Sequence, residues 1–378
     1  MAIPVLFMFG GVSAEHEVSV VTGLQALEHI DRTAFDPYCV YITKSGEMLG
    51  YGNLKTRADF KTAKPKSISF GKDENGGYIR ENGVFGSMIR PQAAYLAFHG
   101  GTGESGPFQG LLEAIDVAFT SPGIEGSVIT MNKAIAKEIF AAHNLPIVQG
   151  VSMTQDEIVA DSSAAIAKVL KQISLPVIIK PAHLGSSIGI NIAKTEIELE
   201  KFLLEAAQVD NEIVVEVLVP SFKEYNSSVR SIGGKIEISA IESPVAKDAI
   251  LSFADKYQRG GGKKSGKQSG MASLERELPA KISDALKEKI ESTAKAAFAA
   301  CRCKGMVRID FMVTPDETLY ITEINPIPGS MSFYLWEAKG IPFKQQITDL
   351  LTQAIADQKI RASLRLDYKS DIIEKFIG

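Results

Sequence analysis

The chain reads as an α/β protein of two or three lobes, the first built on a parallel sheet. Ile3 to Phe9 is an apolar run of strand length that breaks at Gly10-Gly11 and is followed by Val20, Leu24 and Leu27 at helical spacing. Ala94 to Phe98 begins a second such unit, ending in the polar, glycine-rich segment His99-Gly100-Gly101-Thr102-Gly103-Glu104-Ser105-Gly106. The third observation is length, because 378 residues exceed one ordinary core at a prior of roughly 100–200 residues per domain. Functional loops sit at the carboxyl ends of parallel strands, so both glycine-rich segments are expected to line one crevice.

Composition excludes several classes of function. Hydrophobic residues at 45% and charged residues at 23% are ordinary for a globular chain, without the low-complexity bulk of a disordered one. A formal net charge of −4 argues against nucleic-acid binding through bulk charge. The apolar stretches fall short of a span of about 20 residues, and no basic segment precedes an apolar run at Met1 to Gly11, so neither membrane insertion nor secretion is expected. Cys39, Cys301 and Cys303 are odd in number and lack a C-x-x-C spacing, which disfavours a disulfide framework or a zinc site and suits a reducing cytoplasm.

A new domain is expected near Pro122, with a helix after Asn132 (Ile135, Ile139, Ala142) and a strand from Val177 to Lys180 bounded by Pro176 and Pro181. Ile213 to Val217 predicts another strand, and Ser227 to Ser239 predicts alternating segments. Arg259 to Gly270, rich in glycine and lysine, cannot bury a core. Ile282, Leu286, Ile290 and Phe298 mark a helix. Met306 to Val313 then alternates, with Val307, Ile309, Phe311 and Val313 on one face and Arg308, Asp310 and Met312 on the other. Leu319 to Ile324 forms a partner strand that puts Glu323 and Asn325 on one face, and a helix over Phe343 to Ile355 closes the pattern.

The chemistry concentrates at the first of these pairs. Asp310, Glu323 and Asn325 offer a divalent cation hard oxygen ligands while leaving positions for phosphate oxygens, and Arg308 on the same face can stabilise developing charge. A cross-strand salt-bridged surface is the plain alternative, which the following Asn325-Pro326-x-Pro328-Gly329 turn disfavours. Lys180 ends a strand ahead of the small-residue loop His183 to Gly189, whose backbone N–H groups can cradle phosphate, and Lys133 offers a second cation. Ordinary turns and a solvated helix lysine would look much the same. Glu216, followed by Val217, Leu218 and Val219, and then Glu224, can present backbone groups and carboxylates to a nucleoside, although the segment alone is only a strand end and a loop.

Taken in order from about Pro4 to about Leu351, these segments resemble the D-alanine:D-alanine ligase family. The resemblance implies an ATP-grasp fold of two α+β lobes, 122–216 and 217–378, preceded by a Rossmann-like N-terminal domain over 1–121. Gly10-Gly11-Val12-Ser13-Ala14-Glu15-His16-Glu17-Val18-Ser19 is similar to the opening motif, which implies that Glu15 orients the first substrate's amino group. The second signature places His99 near that substrate. The same resemblance implies phosphate contacts for Lys133 and Lys180, an adenine hinge at Glu216 and Val217 to Val219, and a ribose contact for Glu224. It further implies a triad of Glu15, Ser186 and Tyr257, with Lys256 beside it on a loop that closes over the nucleotide. Asp310, Glu323 and Asn325 would hold Mg2+ or Mn2+, two ions in all, and Arg308 with Gly329 would stabilise the tetrahedral intermediate.

The implied activity is ATP-dependent joining of two D-alanines for peptidoglycan precursors by a cytoplasmic homodimer acting on small molecules, with no nucleic-acid or membrane partner. The segment Ser330 to Trp336 looks shorter than the family's, which keeps open another ligase of the same fold using D-serine, D-lactate or another amino acid as second substrate. A kinase would leave Glu15, Ser186 and Tyr257 without a reason to coexist, and a non-catalytic nucleotide-binding protein would not need the metal and acyl-site residues at all.

Overall fold

A computed structural model describes residues 2–83, 86–245, 275–364 and 370–377. Lys256, Tyr257 and the segment Arg259 to Gly270 lie outside the described residues. The N-terminal domain carries one sheet of eight strands, β1 (Ile3–Gly10), β2 (Phe35–Ile42), β3 (Met48–Gly52), β4 (Lys66–Asp73), β5 (Gly76–Glu81), β6 (Met88–Ile89), β7 (Ala93–Leu96) and β8 (Ala118–Phe119). Their order is β6-β5-β4-β3-β2-β1-β7-β8. Only β2-β1-β7-β8 is parallel; β3 to β6 are added as antiparallel hairpins. The β4–β5 and β5–β6 connections are too short for a crossover helix and the β3–β4 connection holds only the four-residue helix Asp59–Thr62, so the expected parallel sheet is half of what forms. Val5 to Phe9 are fully buried because both faces of β1 are covered, which is why the strand reads as continuously apolar.

Two antiparallel lobes follow. The central sheet runs β11-β10-β12-β9, from β9 (Gly150–Thr154), β10 (Val177–Pro181), β11 (Asn191–Ala193) and β12 (Glu212–Val217). The C-terminal sheet runs β14-β13-β17-β18, from β13 (Lys223–Ile232), β14 (Lys235–Ile238), β17 (Met306–Val313) and β18 (Leu319–Asn325); β15 (Ser243–Pro244) and β16 (Arg276–Glu277) pair separately. Leu286, Ile290, Ala294 and Phe298 of the helix Asp284–Ala300 pack with Val307, Ile309, Phe311 and Val313, which buries one face of β17 and turns Arg308, Asp310 and Met312 the other way.

The helix Phe343–Ala362 runs past the expected end, and a short helix, Ile372–Ile377, follows it. Although it follows the C-terminal lobe in sequence, its Phe343, Ile347, Leu350 and Leu351 share a core with β1 and β7, so hydrophobic packing welds that end of the chain to the first domain. Trp336 sits at the weld. It is fully buried, donates from Nε1 to Ser228 Oγ at 3.0 Å and lies under the Arg230 guanidinium at 4.5 Å. Trp336→Ala is expected to lower the unfolding free energy by about 3–5 kcal/mol through the cavity it leaves. Chemical denaturation checks this, and a loss below about 1 kcal/mol would mean that the weld does not depend on the ring.

Candidate active site

Two cavities meet where the three lobes converge. The first, about 1050 Å³, lies between the central and C-terminal sheets, with Ile178, Ile190, Phe222, Phe311 and Met312 giving apolar surface and Lys133, Lys180, Arg308, Asp310 and Glu323 a charged end. Glu224 also lines it. The second, about 640 Å³, is bounded by the N-terminal loops and the end of β18, and its walls include Glu15, His99, Glu104, Ser186, Asn325 and Gly329. Lys133, Gly185, Arg308 and Glu323 line both. A planar apolar group with a polyanionic tail suits the first cavity, and a small zwitterion suits the second.

Pairing of β17 with β18 sets Asp310 opposite Glu323 and Arg308 opposite Asn325, with a register shift immediately after Asp310. The Arg308 guanidinium donates from Nε and Nη2 to the two Asp310 oxygens, each at 2.7 Å, and Asn325 Nδ2 donates to Asp310 Oδ2 at 3.0 Å. Burial opposes the Arg308 charge, but Asp310 more than offsets it and holds the guanidinium well above its ordinary range. Among the described residues no three His, Cys, Asp or Glu side chains cluster as a metal site. Two carboxylates and an amide on facing strand positions nevertheless fit a hard divalent cation whose remaining positions go to phosphate oxygens and water.

Lys133 opens the helix Lys133–Ala142, whose Asn132 cap accepts from the N–H groups of Ala134 and Ile135. Its ammonium donates to Leu184 O at 2.6 Å and lies 3.7 Å from Glu323. Lys180 and Lys137 each donate to Glu216 at 2.5 Å. Glu216 is buried and belongs to neither cavity wall, unlike Lys180. The Val217 N–H is taken by Gln149 O at 3.0 Å and the Leu218 N–H by Pro176 O at 3.2 Å; Val219 lies beyond the end of β12.

In the loop Ala182 to Gly189, the His183 N–H and ring both bond Asp210, at 2.7 and 2.8 Å, while Ser186 and Ser187 take the left-handed conformation. That loop delivers the Ser186 hydroxyl to Glu15. A Cβ at Gly185 would stand 3.0 Å from Glu15 Oε2 and crowd that approach. His99 is buried and kept neutral, its pKa lowered to about 3 chiefly by burial. Its Nε2 pairs with the Thr22 hydroxyl at 2.9 Å, and Thr22 Oγ1 accepts from the Ser330 N–H at 3.2 Å. Ser330, Met331 and Ser332 are consecutive left-handed residues, φ 50, 51 and 46°, which turn the chain from Gly329 directly into the helix Phe333–Glu337. Ser330 to Ser332 thus form a tight buried turn.

Residues 4–122 match the family model described as the D-ala D-ala ligase N-terminus, and residues 139–352 match the D-ala D-ala ligase C-terminus. The chain belongs to the D-alanine–D-alanine ligase family. A D-alanine–D-alanine ligase of Thermosipho africanus is 33% identical over 368 residues, covering 94% of this chain and 95% of the relative. The solved D-alanine-D-alanine ligase from Coxiella burnetii superposes with a TM-score of 0.79 at 20% identity, covering 96% of each chain. A D-Ala:D-Ser ligase from Enterococcus faecalis gives 0.77 at 21%, covering 94% of this chain and all of the other. At such identities these two show the shared ATP-grasp fold, which therefore accommodates a D-Ala-D-Ala ligase and a D-Ala:D-Ser ligase.

Sequence reasoning passed over three residues that the structure bonds to the predicted ones or to the loops that carry them. Lys137 lies one helical turn after Lys133, a spacing that marks a shared face. Thr22, on the first helix, carries no local signal of its own. Glu104, quoted in the second signature without a role, is buried and accepts from the Gly100 N–H at 2.5 Å and the Ile327 N–H at 3.0 Å, so it joins the N-terminal loop to the end of β18. Burial, assisted by nearby Glu15, pushes its pKa up to about 8. Between about 4.5 and about 8 the folded chain keeps a proton that the unfolded chain has released, so this group's contribution to stability is full below that window and is lost as pH rises through it. Glu104→Gln cannot titrate, and its melting-temperature deficit relative to the parent is expected to shrink from pH 5 to pH 8. A deficit that stays constant across that range would mean that Glu104 is ionised in the fold.

Proposed function

We propose that this ligase family member joins two D-alanines to D-alanyl-D-alanine, converting ATP to ADP and phosphate by way of an acylphosphate. The observation that carries the reading is the common wall of Lys133, Gly185, Arg308 and Glu323, where a phosphate tail in one cavity meets an amino acid in the other. A carboxylate oxygen of the first D-alanine attacks the γ-phosphorus and ADP leaves. The amine of the second D-alanine then attacks the acyl carbon, the C–O bond to phosphate breaks, and the amine gives up a proton.

Glu15, steadied by Ser186, orients the first ammonium, and neutral His99 lies beside it without adding a competing charge. Lys133 and Lys180 hold phosphate oxygens, the apolar surface of the larger cavity takes the adenine, and Glu224 on its wall takes the ribose; the hinge role of Glu216, Val217 and Val219, which stand outside that wall, rests on the family resemblance alone. Arg308 and the Gly329 N–H stabilise the oxyanion of the tetrahedral intermediate. Mg2+ or Mn2+ on Asp310, Glu323 and Asn325 would neutralise charge between the phosphate oxygens when bound. Enclosure is needed because water competes with the second amine for the acylphosphate. Use of ATP puts the reaction in the cytoplasm; the described residues contain no helix long and apolar enough to cross a membrane. Assembly as a homodimer follows from the family resemblance and is tested by sedimentation velocity.

Mass spectrometry of products from ATP with D-alanine alone, or with D-alanine plus D-serine or D-lactate, tests the reading. D-alanyl-D-alanine is the expected product throughout, and a mixed product in preference to it would assign a different second substrate. Asp310→Asn and Glu323→Gln are each expected to lower kcat about 100-fold or more with the circular-dichroism spectrum unchanged. Near-parental turnover in both would rule out the cation site. Lys180→Ala is expected to raise KM for ATP and lower kcat together, and a change confined to the amino-acid KM would contradict its role.

A further inference from the structure

Glu216 shares its charge with two lysines that stand in different places. Lys180, at the end of β10, lines the nucleotide cleft and reaches Glu216 Oε2 at 2.5 Å. Lys137, one turn into the helix Lys133–Ala142, is absent from both cavity walls and reaches Oε1 at 2.5 Å. Lys137 also donates to Val148 O at 2.7 Å, so two protein acceptors hold it away from the cleft. Only Lys180 can turn to a ligand. Were it the sole partner of Glu216, its departure would strand a buried carboxylate, which is strongly unfavourable, and the ion pair would compete with the nucleotide. A second cation on the far side removes that penalty. Burial alone would raise the Glu216 pKa, but Lys180 and Lys137 together bring it down to about 2, so the carboxylate is ionised and needs a partner throughout.

We propose that Lys137 is a positioning residue for ATP binding, which keeps Glu216 compensated so that Lys180 can exchange that carboxylate for a nucleotide phosphate. The inference rests on the reading of Lys180 as a phosphate ligand. It predicts a specific dependence on Glu216, because a neutral glutamine at that position needs no counter-charge.

The experiment measures the dissociation constant for a non-hydrolysable ATP analogue with magnesium, by calorimetry on the full chain, for Lys137→Met, Glu216→Gln, the double variant and Lys180→Ala. Lys137→Met is expected to weaken binding about tenfold or more, whereas adding it to Glu216→Gln changes binding by less than about threefold. Lys137→Arg, which keeps the charge, should bind close to the parent. A Lys137→Met defect of equal size in the Glu216→Gln background would make Lys137 a plain structural support and overturn the inference, as would unchanged binding by Lys137→Met. If Lys137→Met folds poorly, Lys137→Gln, which can still donate to Val148 O, is judged by the same two comparisons. Unchanged binding by Lys180→Ala would refute the phosphate reading itself, whereas weakened binding there with none in Lys137→Met would refute this inference alone.

Discussion

The cleft depends on burying charge without stranding it. Arg308 is buried and Asp310 half-buried on the cavity wall, and they satisfy one another in a two-point pair, with Asn325 adding a third donor to the carboxylate. Removing one member of such a pair would leave the other uncompensated in a medium where an unpaired charge costs several kcal/mol. Everything else at the junction obeys the same constraint. Glu216 has two ammonium partners, Glu15 takes the Ser186 hydroxyl, and Glu104 meets two backbone N–H groups while its own proton removes the need for a cation. His99 solves it by staying neutral.

That constraint explains why the site lies between lobes and not within one. Glu15, His99 and Glu104 come from the loops after β1 and β7; Lys133, Lys180 and Ser186 come from the central lobe; Arg308, Asp310, Glu323 and Asn325 come from β17 and β18. No one lobe supplies the whole set. Hydrogen bonds across the seam, such as Ile327 N–H to Glu104 and Ser330 N–H to Thr22, therefore also hold the walls of the smaller cavity together. The core shared by Phe343, Ile347, Leu350 and Leu351 with β1 and β7 makes that arrangement rigid, since close-packed interiors transmit displacement instead of absorbing it.

Much of this was legible in the sequence, for reasons of periodicity. Strict alternation from Met306 to Val313 predicted which side of β17 carries Arg308 and Asp310, because successive side chains on a strand must point opposite ways. Continuous apolarity from Ile3 to Phe9, ended by two glycines, predicted a buried parallel strand with a loop at its carboxyl end. The stretch from β3 to β6 was missed because short, glycine-interrupted strands of mixed polarity look like loops until a neighbour offers its edge.

The sequence by itself determined the residue types, the faces they occupy and their order along the chain, since these follow from local covalent geometry and hydrophobic period. Tertiary structure alone decided the partnerships. That Lys180 meets Glu216 with Lys137 opposite, that Glu104 reaches Ile327 across 223 positions, and that Ser330 to Ser332 turn left-handed with the Ser330 N–H on the Thr22 hydroxyl that also meets His99 all depend on how three lobes dock. The physical reason is that ion pairs and hydrogen bonds act over a few ångströms of space, whatever the distance along the chain, and burial then sets what each pair is worth.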